Sequence, residues 1–245
     1  MFAEERRRRI IKLLEMNGSM GVKEIAKELG VSPSTVRNDL RYLESQGLIY
    51  RTHGGAMSKQ RFDPLYQRRT SLFPELKRAV AKKAVEFVKE GDVIFVDSGS
   101  TTLMFVEELA IQRIECIVVT NSLYVLNTLS DVQHIPVYVI GGEFKKRTMS
   151  FIDPEPDIGK FMIMKAFMGI SGFDDRGCYV SELFEAQFKR KMMDYAKEVY
   201  VLADRTKYGK TSAVLIREWR GDEILITNEK LDLKTVGEVV VAGKL

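Results

Sequence analysis

Apolar residues recur at helical spacing in two early segments, first Ile10, Leu13 and Leu14, then Val22, Ile25, Ala26 and Leu29, with Asn17-Gly18-Ser19 between them. This pattern predicts two short helices. Gly30 stands where a glycine just past a helix ends it, and Ser32-Pro33 reads as an N-cap followed by proline at the first helical position. A third helix therefore starts at about Pro33. Its inward stripe is Val36, Leu40 and Leu43, which leaves Ser34, Thr35, Arg37, Asn38 and Arg41 on the outward side. The extended stretch Gly47-Leu48-Ile49-Tyr50-Arg51 and the turn Thr52-His53-Gly54-Gly55-Ala56 read as a β-wing with Arg51 and His53 at its tip.

Residues 58–75 show no clean apolar periodicity and read as a linker between a small domain, 1–57, and a larger one, 76–245. In the larger domain, apolar runs at 93–96, 117–119, 137–140, 166–170, 199–203 and 224–226 alternate with segments of helical character at 76–90, 102–110, 122–130 and 182–197. Strand alternating with helix predicts an α/β fold with a doubly wound, largely parallel sheet. Ligands in such sheets bind outside the carboxyl ends of the strands.

Charge changes the picture once it is located. The first 60 residues hold 11 of the 38 Lys and Arg and 7 of the 34 Asp and Glu, so the net +4 resides there and the remainder balances. The outward face of the third helix fits the major groove, where arginine pairs with guanine, asparagine with adenine, and Ser or Thr with phosphates or base edges. For one helix alone a solvated face is the plainer reading. Three helices around a Gly30/Ser32-Pro33 turn, inside the basic segment, favour double-stranded DNA, with Ser32, Ser34, Thr35, Arg37, Asn38, Arg41, Arg51 and His53 as contacts. The Arg6 to Arg9 run reads equally as backbone contact or as a solvated helix end. Cys116 and Cys178 lack metal-site spacing and fit reduced thiols; with neither a signal peptide nor a membrane-length apolar run, a cytoplasmic location and no membrane partner are expected.

The loop Asp97-Ser98-Gly99-Ser100-Thr101-Thr102 joins a buried strand to a helix start, with free amides and hydroxyls around a glycine that lets backbone approach a ligand. It reads as a phosphate cradle or, as evenly, as a capped strand-helix turn. Thr120-Asn121-Ser122, Gly141-Gly142 and Asp204-Arg205-Thr206-Lys207 follow other apolar runs and suit convergence on one site. Glu185 and Lys189 have the spacing of an exposed i,i+4 ion pair. Gly172 to Gly177 and Gly209-Lys210-Thr211 each lack part of a nucleotide loop, and no G-x-G-x-x-G or H-E-x-x-H occurs, so no cofactor or metal is expected.

Val31 to Leu40, Leu43-Glu44 and Gly47 to Ala56 resemble the signature of the DeoR family of bacterial regulators. Asp97 to Thr102, Val119-Thr120-Asn121, Gly141-Gly142, Glu182 to Lys189 and Leu202 to Lys207 resemble that family's sensor domain in order and spacing. Asn38 departs from the family's common second arginine, and Ser171 from a position often acidic or amide-bearing. The resemblance implies a sensor fold similar to ribose-5-phosphate isomerase, a phosphorylated sugar effector, and repression of carbohydrate genes. It places phosphate on Ser98, Gly99, Ser100, Thr101 and Thr102, sugar at Asp97, Asn121 and Lys189, and Gly141, Asp204 and Lys207 nearby. Binding to paired operator half-sites requires paired heads about 34 Å apart, hence a homo-oligomer, dimer or tetramer. The alternative is a sugar-phosphate isomerase carrying a DNA-binding domain, with Asp97 or Glu185 as base and Lys189 as electrostatic partner.

Overall fold

The computed structural model describes residues 2–17, 19–52, 54–58 and 66–243. The chain forms two compact units, 1–68 and 69–245.

The first unit runs α1 (Ala3–Asn17), β1 (Ser19–Gly21), α2 (Val22–Leu29), α3 (Pro33–Ser45), β2 (Ile49–Thr52) and β3 (Gly55–Ser58). The predicted punctuation is present. Gly30 ends α2 in the left-handed region at φ 64°, and Ser32 caps α3 by accepting from the Thr35 amide, ahead of Pro33. Ile10, Leu14, Ile25, Val36, Leu40, Leu43 and Ile49 make one small core. The three strands form an antiparallel sheet in the order β1-β3-β2, so the wing closes on a strand that the sequence pattern placed in a turn.

The second unit opens with α4 (Tyr66–Ser71), a helix whose first residues precede the unit and which lies in the stretch read as linker, and α5 (Pro74–Val85). Strand and helix then alternate through β4 (Val93–Val96), α6 (Ser100–Gln112), β5 (Ile117–Thr120), α7 (Leu123–Leu129) and β6 (Val137–Val139). After a hairpin, β7 (Glu143–Lys145) with β8 (Ser150–Ile152), comes β9 (Lys165–Gly169). There follow β10 (Gly172–Phe173), β11 (Gly177–Val180), α8 (Leu183–Tyr195), β12 (Glu198–Leu202), β13 (Val214–Glu218), β14 (Ile224–Thr227) and β15 (Glu238–Val241).

Seven strands pair in parallel in the order β15-β14-β12-β9-β4-β5-β6. Alternate residues of each strand serve opposite faces. Ile94, Val96, Val118, Phe167, Tyr200 and Leu202 pack on α5, α6 and α7, whereas Phe95, Val119, Met168 and Val201 pack on α8 and the small antiparallel sheet β10-β11-β13. Both faces are thus covered, which is why these strands read as unbroken apolar runs. From β4 the chain winds outward to β5 and β6, then returns to β9 on the other side of β4. The strand order reverses between β4 and β9, so the carboxyl ends of these two strands are where a crevice is expected.

Candidate functional site

That reversal brings two glycines together. A Cβ on Gly99 would lie 3.2 Å from the Gly169 Cα and 3.1 Å from the Thr102 hydroxyl. Gly99 thus also serves the close crossing of the β4–α6 turn over the end of β9, where a side chain would be tightly crowded. Thr102 is likewise committed to the turn: its Oγ1 donates to the Asp97 carbonyl at 2.6 Å and lies 2.9 Å from that of Gly99. Ser98, Ser100 and Thr101 are buried around the same turn, at the amino end of α6.

Asp97, fully buried at the end of β4, holds the centre. Its Oδ2 accepts from the Gly169 amide at 3.0 Å and from the Lys189 ammonium. Lys189 also donates to the Gly169 carbonyl at 2.9 Å and pairs with Glu185 at 3.4 Å. The expected i,i+4 pair exists, but it is buried, not exposed: Glu185 and Lys189 lie on the face of α8 that packs onto the sheet. Lys189, expected to face the sugar, has its ammonium protons directed at protein oxygens. Burial alone would lower its pKa; Asp97 and Glu185 outweigh that and hold the ammonium above its ordinary value.

Around this closed ion cluster, several polar atoms have no hydrogen-bond partner among the described residues. Asp97 Oδ1, Thr101 Oγ1 and Asn121 Oδ1 are shielded from solvent and unmatched. Asn121 is aimed by the β7–β8 hairpin, since its Nδ2 donates to the Phe151 carbonyl at 3.0 Å while the Phe151 amide donates to the Asn121 carbonyl at 2.8 Å. Gly141 is exposed where β6 leads into that hairpin. Buried acceptors without donors are costly, about 1–3 kcal/mol each, and they suit a ligand that brings hydroxyl groups.

A second corner was missed in the sequence. Lys77 on α5 is buried, and its Nζ donates to the Arg69 carbonyl. Its pKa is pushed down to about 8, first by burial and then by the neighbouring Lys207 and, more weakly, Arg69, with Asp204 opposing them in part. Asp204 is buried at the end of β12, where it caps a 3-10 turn over Arg205–Lys207 by accepting from the Thr206 amide at 3.0 Å. The signal for Lys77 was available, because it precedes Val80, Ala81 and Ala84 at three, four and seven residues and so lies on the buried stripe. Arg69 fell in the stretch read as linker.

On the first unit, Arg37, Asn38 and Arg41 are exposed on α3, with Arg41 donating to Asn38 Oδ1 at 3.0 Å. Ser34 is exposed and Thr35 half-buried; their hydroxyls lie 2.7 and 2.8 Å from that of the capping Ser32. Arg51 is not at the wing tip: it lies on β2 opposite Ala56, half-buried, because the turn begins only after Thr52. His53 lies outside the described residues.

Comparison with known proteins gives these two units a common context. The DeoR-like helix-turn-helix domain matches residues 6–62, and the DeoR C terminal sensor domain matches residues 73–229. The HTH-type transcriptional regulator IolR of Bacillus subtilis is 31% identical, covering 88% of this chain and 87% of its own. The lactose phosphotransferase system repressor of Staphylococcus epidermidis is 33% identical and covers 92% of each chain. Among solved structures, ribose 5-phosphate isomerase A from Neisseria gonorrhoeae is similar at 22% identity and a TM-score of 0.43, over 55% of this chain and 53% of that one. The sensor match spans more than half of the sequence and the relatives align along nearly all of it: the chain belongs to the DeoR family of transcriptional regulators.

Proposed function

We propose that this regulator represses carbohydrate-metabolism genes, and that a phosphorylated sugar at the carboxyl edge of the parallel sheet releases its head from operator DNA. The working division is a head of residues 1–57, a connecting segment of 58–75 and a sensor of 76–245. A relative that represses a lactose phosphotransferase system supports the gene class. The observation that carries the ligand is the pairing of unmatched buried acceptors, Asp97 Oδ1 and Asn121 Oδ1, with a buried lysine whose nearest charges are mostly positive. Hydroxyl groups answer the first and a phosphate the second.

In this reading the amides and hydroxyls at the start of α6, with Ser98, Ser100 and Thr101, share the phosphate with Lys77 and Lys207. Asp97 and Asn121 receive sugar hydroxyls, Gly141 borders them, and Asp204 holds the turn that carries Lys207. Lys189 acts through Asp97 by holding its Oδ2, which leaves Oδ1 turned to the ligand. Arg37, Asn38 and Arg41 read base edges while Ser32, Ser34, Thr35 and Arg51 support or contact the backbone. Paired heads on paired half-sites require a homo-oligomer. Ligand binding weakens DNA affinity only as far as it favours the arrangement that misplaces the heads.

The test is a thermal-shift screen of pentose and hexose phosphates, followed by DNA binding with and without the hit. The reading expects at least one sugar phosphate to raise the melting temperature and to weaken binding to a duplex selected by the protein from a random pool. No shift across the panel, or a hit that leaves DNA affinity unchanged, contradicts it. Sustained isomerase turnover on the same panel would promote the enzymatic alternative.

A further inference from the structure

The four consecutive arginines of α1 do not all share one fate. Arg8 and Arg9 are exposed and pair along the helix with Glu4 and Glu5 at 3.8 and 2.9 Å. Arg6 and Arg7 turn inward onto a single carboxylate of α3. Arg6 Nε meets Asp39 Oδ2 at 2.5 Å and its Nη2 meets Oδ1 at 3.3 Å, while Arg7 Nε donates to Oδ1 at 2.9 Å. The Arg7 guanidinium carbon also lies over the Tyr42 ring, 3.7 Å from its centroid. Asp39 is 2% exposed, the one buried acid on a helix whose adjacent residues, Asn38 and the nearby Arg37 and Arg41, face outward.

A carboxylate so buried is stable only when paired, and its two partners come from another helix. Their Nε donors point at it, which fixes both the spacing and the rotation of α3 against α1. We propose that Asp39 is a positioning residue for base recognition: clamped by Arg6 and Arg7, it sets the rotation of α3, and these two arginines serve the clamp and not the DNA backbone. The side chains that reach base edges are thereby held in one register. Groove readout needs this, because a bidentate contact fails when the helix rolls by a fraction of a turn.

The inference rests on the DNA-binding reading of the first unit, and the experiment separates the two. Full-length protein is measured against a duplex enriched from a random pool by the unmodified chain and against an unrelated duplex of equal length, over a range of salt concentrations. Arg7→Lys keeps the charge but loses the planar face and the Nε donor. It is expected to lower the preference for the selected duplex about ten-fold while leaving the salt dependence of binding unchanged. Arg7→Gln is expected to behave in the same way, and Asp39→Asn to lose at least as much preference. Should Asp39→Asn fail to fold, the two Arg7 variants still decide. A salt slope that falls by about 0.9 in Arg7→Gln, the signature of one lost phosphate contact, overturns the proposal. So does full preference in Arg7→Lys. If the unmodified chain enriches no duplex, the DNA-binding reading falls, and this inference with it.

Discussion

Two lysines are buried side by side in function but not in kind at the carboxyl edge of the sensor sheet. Lys189 is surrounded by Asp97, Glu185 and the Gly169 carbonyl, and its charge is held above the ordinary range. Lys77 donates to the Arg69 carbonyl, and burial followed by Lys207 outweighs Asp204, so its pKa is lowered to about 8. In the first cluster the ammonium is matched by protein oxygens and ties β4, β9 and α8 together, while Asp97 keeps one oxygen unmatched. In the second, burial and Lys207 disfavour the ammonium and Asp204 opposes them only in part. Burial of a charge is thus common to both lysines, and the sign of the pKa shift is what separates them.

Substitutions at the two lysines should consequently have opposite consequences. The largest effect is expected from Lys189→Met, which leaves Asp97 and Glu185 buried beside each other without a cation. Breaking such a buried pair typically costs about 3–5 kcal/mol, read as a lowered midpoint in denaturant unfolding. Equal stability would show that Lys189 does not tie these elements together. Lys77→Met, by contrast, should leave stability unchanged or higher, because it removes a cation that burial disfavours. It should weaken effector binding by about ten-fold or more, the loss of one charge-assisted hydrogen bond to phosphate. Titration of the screened sugar phosphate into both proteins checks this, and destabilisation with intact affinity would reverse the comparison.

A smaller effect follows from protonation. Because the folded-state pKa of Lys77 is depressed from 10.5 to about 8, the unfolded chain holds a proton that the folded chain has released between those values. The Lys77 contribution to stability should rise as pH climbs through that window, so the stability difference between Lys77→Met and the unmodified chain should shrink toward high pH. Denaturant midpoints of the two proteins at pH 7.5 and 10 measure it; a widening difference would give Lys77 the wrong sign. The smallest effect expected is at the readout end. Arg37→Ala should cost roughly 1–3 kcal/mol of specific DNA binding, relax one base position, and leave the sensor site untouched. Unchanged sequence preference would remove Arg37 from the groove.

The two units also differ in how far they could be read from residues alone. The head is built from local signals: Gly30, Ser32-Pro33 and the stripe Val36, Leu40, Leu43 act within one or two turns of helix, so caps and core followed directly from spacing. The five inner strands of the sensor sheet were visible because both faces are covered, and the edge strand β6 because its run Val137 to Ile140 is apolar throughout. Strand β15 was missed although Val239 to Ala242 form an apolar run, and the β7–β8 hairpin lacked a turn signature. Side-chain roles at the site were harder. Spacing paired Glu185 with Lys189, but their burial depends on α8 docking against β4 and β9, far away in sequence. The closeness of Gly99 to Gly169 could not be read from either segment, since only the reversal of strand order brings them together.

A phosphate bound beside Lys77 would bring its lowered pKa back up, so that above about pH 8 binding takes up a proton, and calorimetry tests that most directly. Binding of the sugar phosphate identified by the thermal screen is measured at pH 9 in two buffers of different ionisation enthalpy. The expected result is uptake of about one proton per ligand by the unmodified chain, almost none at pH 7, and none at pH 9 in Lys77→Met. Absence of uptake at pH 9, or equal uptake in the variant, would contradict it.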